Sequence, residues 1–91
     1  MTRSELNSIM AYKHGLTRNE ATAAVDIVFE NIATTLAKGE RVELRGFGSF
    51  FGKRHEAREG RNPKTGELVH VPAKRLVAFR TGKALRERVD H

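Results

Sequence analysis

One seven-residue run restricts how this chain can fold more than any other: Gly60-Arg61-Asn62-Pro63-Lys64-Thr65-Gly66. It lies between two segments whose residues alternate as in β-strands. Glycines at both ends and a proline within are typical of a turn, so the run predicts the tip of a two-stranded ribbon. A rigid proline between cationic and amide side chains favours insertion into a nucleic-acid groove, whereas a plain exposed hairpin is the simpler alternative.

Positive charge is concentrated in the second part of the chain. Residues 1–40 carry four basic and five acidic residues, and residues 41–91 carry thirteen basic and six acidic residues, which gives +6 overall. This asymmetry suggests a nearly neutral scaffold joined to a polyanion-binding surface. A solubilising charged face is the alternative.

The chain is short for an independently stable domain. If residues 53–74 project as an arm, only 69 residues remain for packing, and scaffolds of that size usually need a disulfide, a metal or a partner. There is no cysteine, and the four histidines lack metal-ligand spacing. We therefore expect oligomerisation, with no metal and no other cofactor.

Residues 1–40 predict two helices. Capping boxes at Thr2-Arg3-Ser4-Glu5 and Thr17-Arg18-Asn19-Glu20 indicate their N-termini, and the first helix is expected over about residues 3–14. The second carries apolar residues at helical spacing: Ala21, Ala24, Val25, Val28, Phe29, Ile32, Ala33 and Leu36. Ala23, Ile27 and Ala37 lie outside that stripe, so the apolar surface is wide enough to contact a second copy.

Residues 41–91 predict a sheet, an arm and a final helix. Strands are expected over residues 41–44, 47–58 and 68–80, with a tight turn at Arg45-Gly46 and a short helix from Thr81-Gly82-Lys83. The twelve residue steps from Phe51 to Pro63 would reach about 40 Å. Along this ribbon we expect Glu56 and Glu59 to form cross-strand pairs and His55 to face His70.

Catalytic and membrane functions are not favoured. Gly82-Lys83-Ala84 lacks the rest of a P-loop, and Ser49 has no obvious partner base, so we expect neither an enzyme nor a small-molecule substrate. No apolar stretch approaches about 20 residues, and the N-terminus lacks the apolar segment of a signal peptide. We expect a cytoplasmic protein without membrane contact.

Three motifs carry a resemblance that extends over essentially the whole chain: Gly46-Phe47-Gly48-Ser49-Phe50, the Gly60–Gly66 run, and Gly82-Lys83-Ala84-Leu85. They resemble the bacterial HU and integration host factor family of DNA-bending proteins. The resemblance implies an α+β fold with a helical base, a three-stranded antiparallel β-sheet and a long β-ribbon arm, in an intertwined dimer. Residues 1–91 would form one domain: residues 1–40 the helical dimerisation part, and residues 41–91 the β-saddle, the arm (about 53–74) and the C-terminal helix.

The same resemblance implies a partner and a set of site residues. The partner is double-stranded DNA in the nucleoid, bound through the minor groove and bent by intercalation of Pro63. The implied DNA-binding residues are Arg3, Arg45, Gly46, Lys53, Arg54, His55, Arg58, Arg61, Asn62, Pro63, Lys64, Lys74, Arg75, Arg80, Lys83 and Arg86. The implied dimer core consists of Phe29, Ile32, Leu36, Leu44, Phe47, Phe50 and Phe79.

The sequence combines features of different branches of that family. Residues 39–45 resemble the β subunit of integration host factor, in which the arginine before Gly-Phe-Gly helps to select sequence, so Arg45 is the candidate selector. Residues 76–79 are more similar to the α subunit, with Val77 where many HU proteins carry proline, and the C-terminus is short as in HU. We expect a homodimer, with a heterodimer of paralogous subunits as the alternative.

Two other functions stay open. A module for RNA or single strands would need stacking aromatics on the basic surface. Most of the six aromatic residues fit a core and the arm has none, which argues against it. An oligomerisation protein without a nucleic-acid role would give no reason for the Arg-Asn-Pro tip.

Overall fold

The computed structural model describes residues 1–91. Its elements are α1 (Arg3–His14), α2 (Arg18–Ala37), β1 (Val42–Leu44), β2 (Gly48–His55), β3 (Arg58–Arg61), β4 (Leu68–Val71), β5 (Lys74–Thr81) and α3 (Lys83–Val89). Strands β1, β2 and β5 form one sheet in the order β1-β2-β5, and β3 and β4 form a separate two-stranded ribbon. All pairings are antiparallel, and the predicted α+β class is confirmed.

The two long helices begin at the predicted caps, but only one capping box is complete. At α2 the Thr17 hydroxyl accepts from the Glu20 N–H at 3.1 Å, and the Glu20 carboxylate accepts from the Thr17 N–H at 2.9 Å. The bond from the Thr17 N–H to the carboxylate, followed by the Thr17 side chain, lowers the pKa of Glu20, so the stabilisation from the charged carboxylate persists at neutral pH and disappears as the pH falls through the lowered value. At α1 the Thr2 hydroxyl accepts from the Glu5 N–H, and no reciprocal bond from the Glu5 side chain forms.

The three-stranded sheet has two chemically different faces. The register aligns Val42, Phe50 and Phe79 across the strands on one side, here termed the inner face. Phe50 and Val77 of this face line an open groove together with residues of α2. Because successive residues of a strand point to opposite sides, the intervening residues form the other side, here termed the outer face.

An aromatic cluster forms the centre of the inner face. The ring centroid of Phe79 lies 4.7 Å from that of Phe50 and 5.6 Å from that of Phe47. These separations fall in the favourable range for aromatic pairs. Gly48 gives the Phe79 ring its space, because a Cβ on Gly48 would overlap that ring.

A tight turn joins β1 to β2 and holds α3. The Phe47 N–H donates to the Leu44 carbonyl at 2.9 Å, and Gly46 has a φ of 79°, which favours glycine. The Gly46 carbonyl accepts from the Leu85 N–H at 3.0 Å, and the Phe47 carbonyl from the Gly82 N–H at 2.7 Å. Helix α3 begins within the predicted opening Thr81-Gly82-Lys83: Thr81 still pairs with Gly48 at the end of β5, Gly82 is the N-cap and Lys83 is the first helical residue.

The single chain has almost no closed core. Only Ala21, Val25 and Gly48 are buried. The chain exposes 7845 Å², whereas about 5300 Å² is expected of a compact protein of this mass. Its radius of gyration is 18.8 Å, against about 12 Å for a compact chain of this length. Neither of the longer helices is apolar enough to span a membrane.

The ribbon is interrupted where continuous strands were predicted. His55 pairs with Lys74 and Arg58 with Val71, so residues 56–57 and 72–73 lie opposite each other without ladder pairing. Proline at position 72 cannot donate to a ladder, which accounts for the break in the returning strand. The predicted strands 47–58 and 68–80 are therefore each divided into two shorter strands.

Two predicted contacts along the ribbon were wrong. His55 lies opposite Lys74 and His70 lies opposite Glu59, so the two histidines do not face each other. Glu56 lies in the break and pairs with Arg54, two residues earlier in the chain, at 3.0 Å rather than across the ribbon, because the break removes its cross-strand neighbour. Glu59 forms no ion pair.

Replacing Gly48 by alanine should destabilise the fold. The added methyl would overlap the Phe79 ring and lie 2.5 Å from the Arg80 carbonyl oxygen, and overpacking of this kind costs about 1–3 kcal/mol. The measurement is the denaturant midpoint at one fixed protein concentration. Gly60→Ala is the matched control, since a methyl there meets no atom within 4 Å. Equal midpoints for the two variants would contradict the role given to Gly48.

Candidate nucleic-acid interface

The predicted tip is the turn that joins β3 to β4. The Asn62 N–H donates to the Glu67 carbonyl at 2.9 Å, and the Gly66 N–H donates to the Asn62 carbonyl at 2.7 Å. Gly66 has a φ of 75°, which glycine adopts without strain. Pro63 lies within this loop and is exposed, so the one proline of the run stands at the far end of the ribbon.

Both side chains that precede Pro63 bond within the hairpin. The Asn62 carboxamide oxygen accepts from the Lys64 N–H at 2.9 Å. The Arg61 guanidinium donates to the Gly66 carbonyl at 3.1 Å, which ties the start of the loop to its end. The tip is therefore an ordered turn, and the Pro63 ring and the Lys64 ammonium project from it without a partner in the chain.

Four predicted site residues share the outer face of the sheet. The register sets Ser49 opposite Arg80, Lys53 opposite Leu76, and His55 opposite Lys74. Alternation along β2 and β5 brings to one side the cationic or titratable residues Lys53, His55, Lys74 and Arg80. None of these four forms an ion pair, so the charges of Lys53, Lys74 and Arg80 are available to an external anion.

Two predicted site residues lie on the opposite side. Arg54 pairs with Arg75 in the same register as Phe50 with Phe79, which puts both arginines on the inner face. The Arg75 guanidinium lies against Gly52 and Gly39, 3.1 and 3.3 Å from where their Cβ atoms would be. Gly39 immediately follows the end of α2, where a cation is favoured by the helix dipole.

Most aromatic residues were predicted to fit a core, but one of them lies on the cationic side of the sheet. Phe51 is on the outer face, and the Arg80 guanidinium carbon lies 5.9 Å above its ring. The alternation of side chains along a strand could have predicted this position, because Phe51 is two residues from Lys53 and adjacent to Phe50, which is on the inner face. It is the only aromatic side chain on that face.

The remaining predicted cations are distributed over the ribbon and the body. Arg58 and Arg61 are on β3, Lys64 is in the loop, and Arg45 is in the turn before Gly46. Arg3 pairs with Asp26 at 2.7 Å and lies 4.9 Å from the Phe29 ring centre, and Lys83 pairs with Glu87 at 3.9 Å. Exposed pairs of this kind contribute little to stability, so these cations can exchange partners readily.

The residues predicted as a dimer core are all accessible in the single chain. Phe29, Ile32, Leu36 and Phe50 line the groove between α2 and the inner face. Phe47 is 47% exposed and Phe79 is 40% exposed, although both belong to the aromatic cluster. Apolar surface of this extent on a short chain is typical of an association site.

Comparison with known proteins agrees with this architecture. The family model described as bacterial DNA-binding protein matches residues 1–90. The chain is 47% identical over 89 residues to DNA-binding protein HU of Staphylococcus aureus (strain COL), which covers 98% of this chain and 99% of the relative. It is 53% identical over 91 residues to integration host factor subunit beta of Dichelobacter nodosus, covering 99% and 95% of the two chains.

The Anabaena HU protein in an HU–DNA cocrystal structure has a similar fold. Its TM-score to this chain is 0.88 at 43% sequence identity, over 98% of this chain and 97% of the other. The similarity therefore includes the ribbon as well as the helices and the sheet. By sequence and by fold, the chain belongs to the bacterial DNA-binding protein family that includes HU and integration host factor.

Proposed function

We propose that this protein is an architectural DNA-binding protein that works as a dimer, binds the minor groove of double-stranded DNA and bends it by inserting Pro63 between bases. The observation that carries the proposal is the exposed Pro63 at the end of a basic ribbon that extends beyond the body. Family membership supports DNA as the partner. Such a protein organises the nucleoid by shaping DNA rather than by catalysis.

The outer face and the ribbon supply the sequence-independent part of binding. Lys53, Lys74 and Arg80 form no ion pair, and they lie on one side of the sheet. Contacts of this kind to phosphates release counterions, so affinity falls steeply as salt rises. They fix the position of the protein on the duplex and carry no sequence information.

The apolar groove supports a dimer. A single chain that exposes 7845 Å² has two or three thousand Å² more surface than expected, roughly the amount that a substantial interface buries. Joining two chains through α2 and the inner faces would cover Phe29, Ile32 and Phe50. The resulting dimer would carry two ribbons, one on each side of the DNA.

Bending follows from the balance of two contributions. Inserting a side chain between base pairs costs a few kcal/mol of stacking, and the bent duplex offsets it with further contacts to the protein. The interruption at residues 56–57 and 72–73 would let each ribbon turn to follow the duplex while β2 and β5 keep their register. The saddle would therefore stay rigid while the arms adapt.

Arg45 is the residue that would give any preference among sequences. It is exposed at the turn before Gly46, whose φ of 79° fixes the turn geometry. An arginine held at a narrow minor groove is sensitive to groove width, which varies with sequence. Reading of this kind separates A-tracts from mixed sequences without hydrogen bonds to particular base pairs.

The Phe51–Arg80 contact favours a second candidate, binding of RNA or single strands. Base stacking on an aromatic ring contributes about 1–3 kcal/mol per base, and Phe51 is on the cationic outer face. A single aromatic residue provides one stacking position, however, and the ribbon adds none. Double-stranded DNA therefore remains the better match.

Pro63→Ala should reduce bending more than binding. The variant keeps every cation but loses the rigid ring. The measurement is end-to-end fluorescence transfer on a duplex of about 35 base pairs, which is stiff because the persistence length of DNA is about 150 base pairs. Wild type should raise the transfer, and Pro63→Ala should raise it far less at equal occupancy. An unchanged transfer would refute intercalation; binding by wild type without any rise would favour the single-strand alternative, which a single-strand titration then tests.

Lys74→Ala and Arg75→Ala should differ although the residues are neighbours. Lys74 is on the outer face and Arg75 on the inner face against Gly39 and Gly52. The slope of log K against log salt becomes shallower by about 0.9 for each phosphate that the protein no longer neutralises. We expect about twice that change for Lys74→Ala, because a homodimer loses one contact in each subunit, and little change for Arg75→Ala. Equal slopes in the two variants would contradict the assignment of the two faces.

Arg45→Ala should flatten any preference among sequences. Competition between an A-tract duplex and a mixed-sequence duplex measures the ratio of the two affinities. The variant should bring that ratio close to one while it leaves binding to the mixed duplex within about twofold, since one exposed contact contributes little. If both affinities instead fall by the same factor, Arg45 is a phosphate contact and not a selector.

A further inference from the structure

We propose that Asn62 positions Pro63: its carboxamide oxygen closes the turn around the proline, so that the ring is held in place before DNA arrives. The inference rests on the proposed function, since it assigns how the Pro63 wedge is presented. It differs from the role expected of Asn62 by resemblance, which is a contact to DNA beside the proline.

The hydrogen bonds of the loop carry this inference. The Asn62 side-chain oxygen accepts from the Lys64 N–H at 2.9 Å, and this bond closes a small ring that contains Pro63. The Asn62 carbonyl accepts from the Gly66 N–H at 2.7 Å, which closes a larger loop around the same residue. Pro63 therefore lies within two nested hydrogen-bonded rings, and Asn62 provides the acceptor oxygen of both.

Neighbouring groups make the turn stiffer still. The proline ring sets its own φ, and the Arg61 guanidinium donates to the Gly66 carbonyl at 3.1 Å across the base of the loop. Asparagine side chains that bond to the backbone two residues on are a recognised way of stabilising a turn. With its oxygen already accepting this bond, Asn62 offers mainly its NH2 group to another molecule.

A preformed turn has a consequence for the bending step. A loop that must be ordered when it binds loses conformational freedom at that moment, and the loss weakens binding. Holding Pro63 in place in the free protein removes that part of the cost. Loss of the Asn62 oxygen should therefore impair bending even though every cation and the proline itself remain.

Three substitutions separate the acceptor from a DNA contact. Asn62→Ala removes the oxygen and the NH2 group together. Asn62→Asp keeps an oxygen in the same place and removes the NH2 donor, and Asn62→Ser gives a shorter, uncharged acceptor that also forms such turns. Thr65→Val is the matched control, since it removes a longer 3.3 Å bond from the Glu67 N–H outside the ring around Pro63.

The first readout needs no DNA. Amide hydrogen exchange at Lys64, followed by NMR on the free protein, reports whether its N–H is bonded. We expect Asn62→Ala to exchange about two- to tenfold faster than wild type, which is the range for loss of one hydrogen bond. The Asp and Ser variants should stay closer to wild type. An unchanged rate in Asn62→Ala would overturn the proposal, whatever the DNA experiments give.

The second readout is fluorescence transfer on the bent duplex at saturating protein. Asn62→Ala should lower the transfer towards the value for Pro63→Ala, while Asn62→Ser and Thr65→Val retain most of it. Asn62→Asp should bind more weakly because its charge repels phosphates, yet retain more transfer than Asn62→Ala once bound. If Asp and Ser lose bending as Ala does while their Lys64 N–H stays protected, Asn62 contacts DNA through its NH2 group and the proposal is wrong.

The two proposals fail in different ways. Wild-type protein that binds without raising the transfer, or Pro63→Ala that bends fully, would refute the proposed function. Bending that depends on Pro63 but not on Asn62 would leave the proposed function intact and refute the positioning role alone.

Discussion

The antiparallel pairing of β2 with β5 is the interaction on which the rest of the structure depends. Its eight paired positions run from Gly48 opposite Thr81 to His55 opposite Lys74. A shift of one strand by one residue would turn all of its side chains to the other face. A shifted β5 would bring Phe79 into water and would turn Lys74 and Arg80 to the side of α2. One register thus sets both the apolar surface and the charged surface.

The two faces of the sheet have a requirement in common. The inner face leaves apolar surface in water, with Phe47 and Phe79 each more than a third accessible. The outer face carries unpaired positive charge, which self-repulsion makes unfavourable in a compact state. Under the proposed function each face has an outside partner, an apolar one for the first and an anionic one for the second. Folding, association and binding would in this way be linked through a single thin sheet.

Much of the architecture could be predicted from the sequence, because local signals agree with the final fold. The bounds of α1 and the complete cap at Thr17 follow from side chain–backbone rules that act within four residues. The tip was predictable because proline fixes its own φ and glycine adopts the positive φ that a tight turn requires. The break at residues 56–57 was missed, since charged residues alternate through it and only the register with Pro72 reveals it. The positions of Arg75 and Phe51 likewise depend on strand parity, which composition does not report.

The interruption in the ribbon has a mechanical consequence. A two-stranded ribbon that lacks ladder hydrogen bonds at one level bends most easily at that level. A load applied at its tip therefore turns the ribbon there. Under the proposed function, a stiff duplex that resists curvature would apply a torque at Pro63, and the ribbon would turn at residues 56–57 and 72–73 while the β2–β5 pairing keeps its register. The break would then limit the load on the sheet, so that one protein could accommodate DNA of different stiffness.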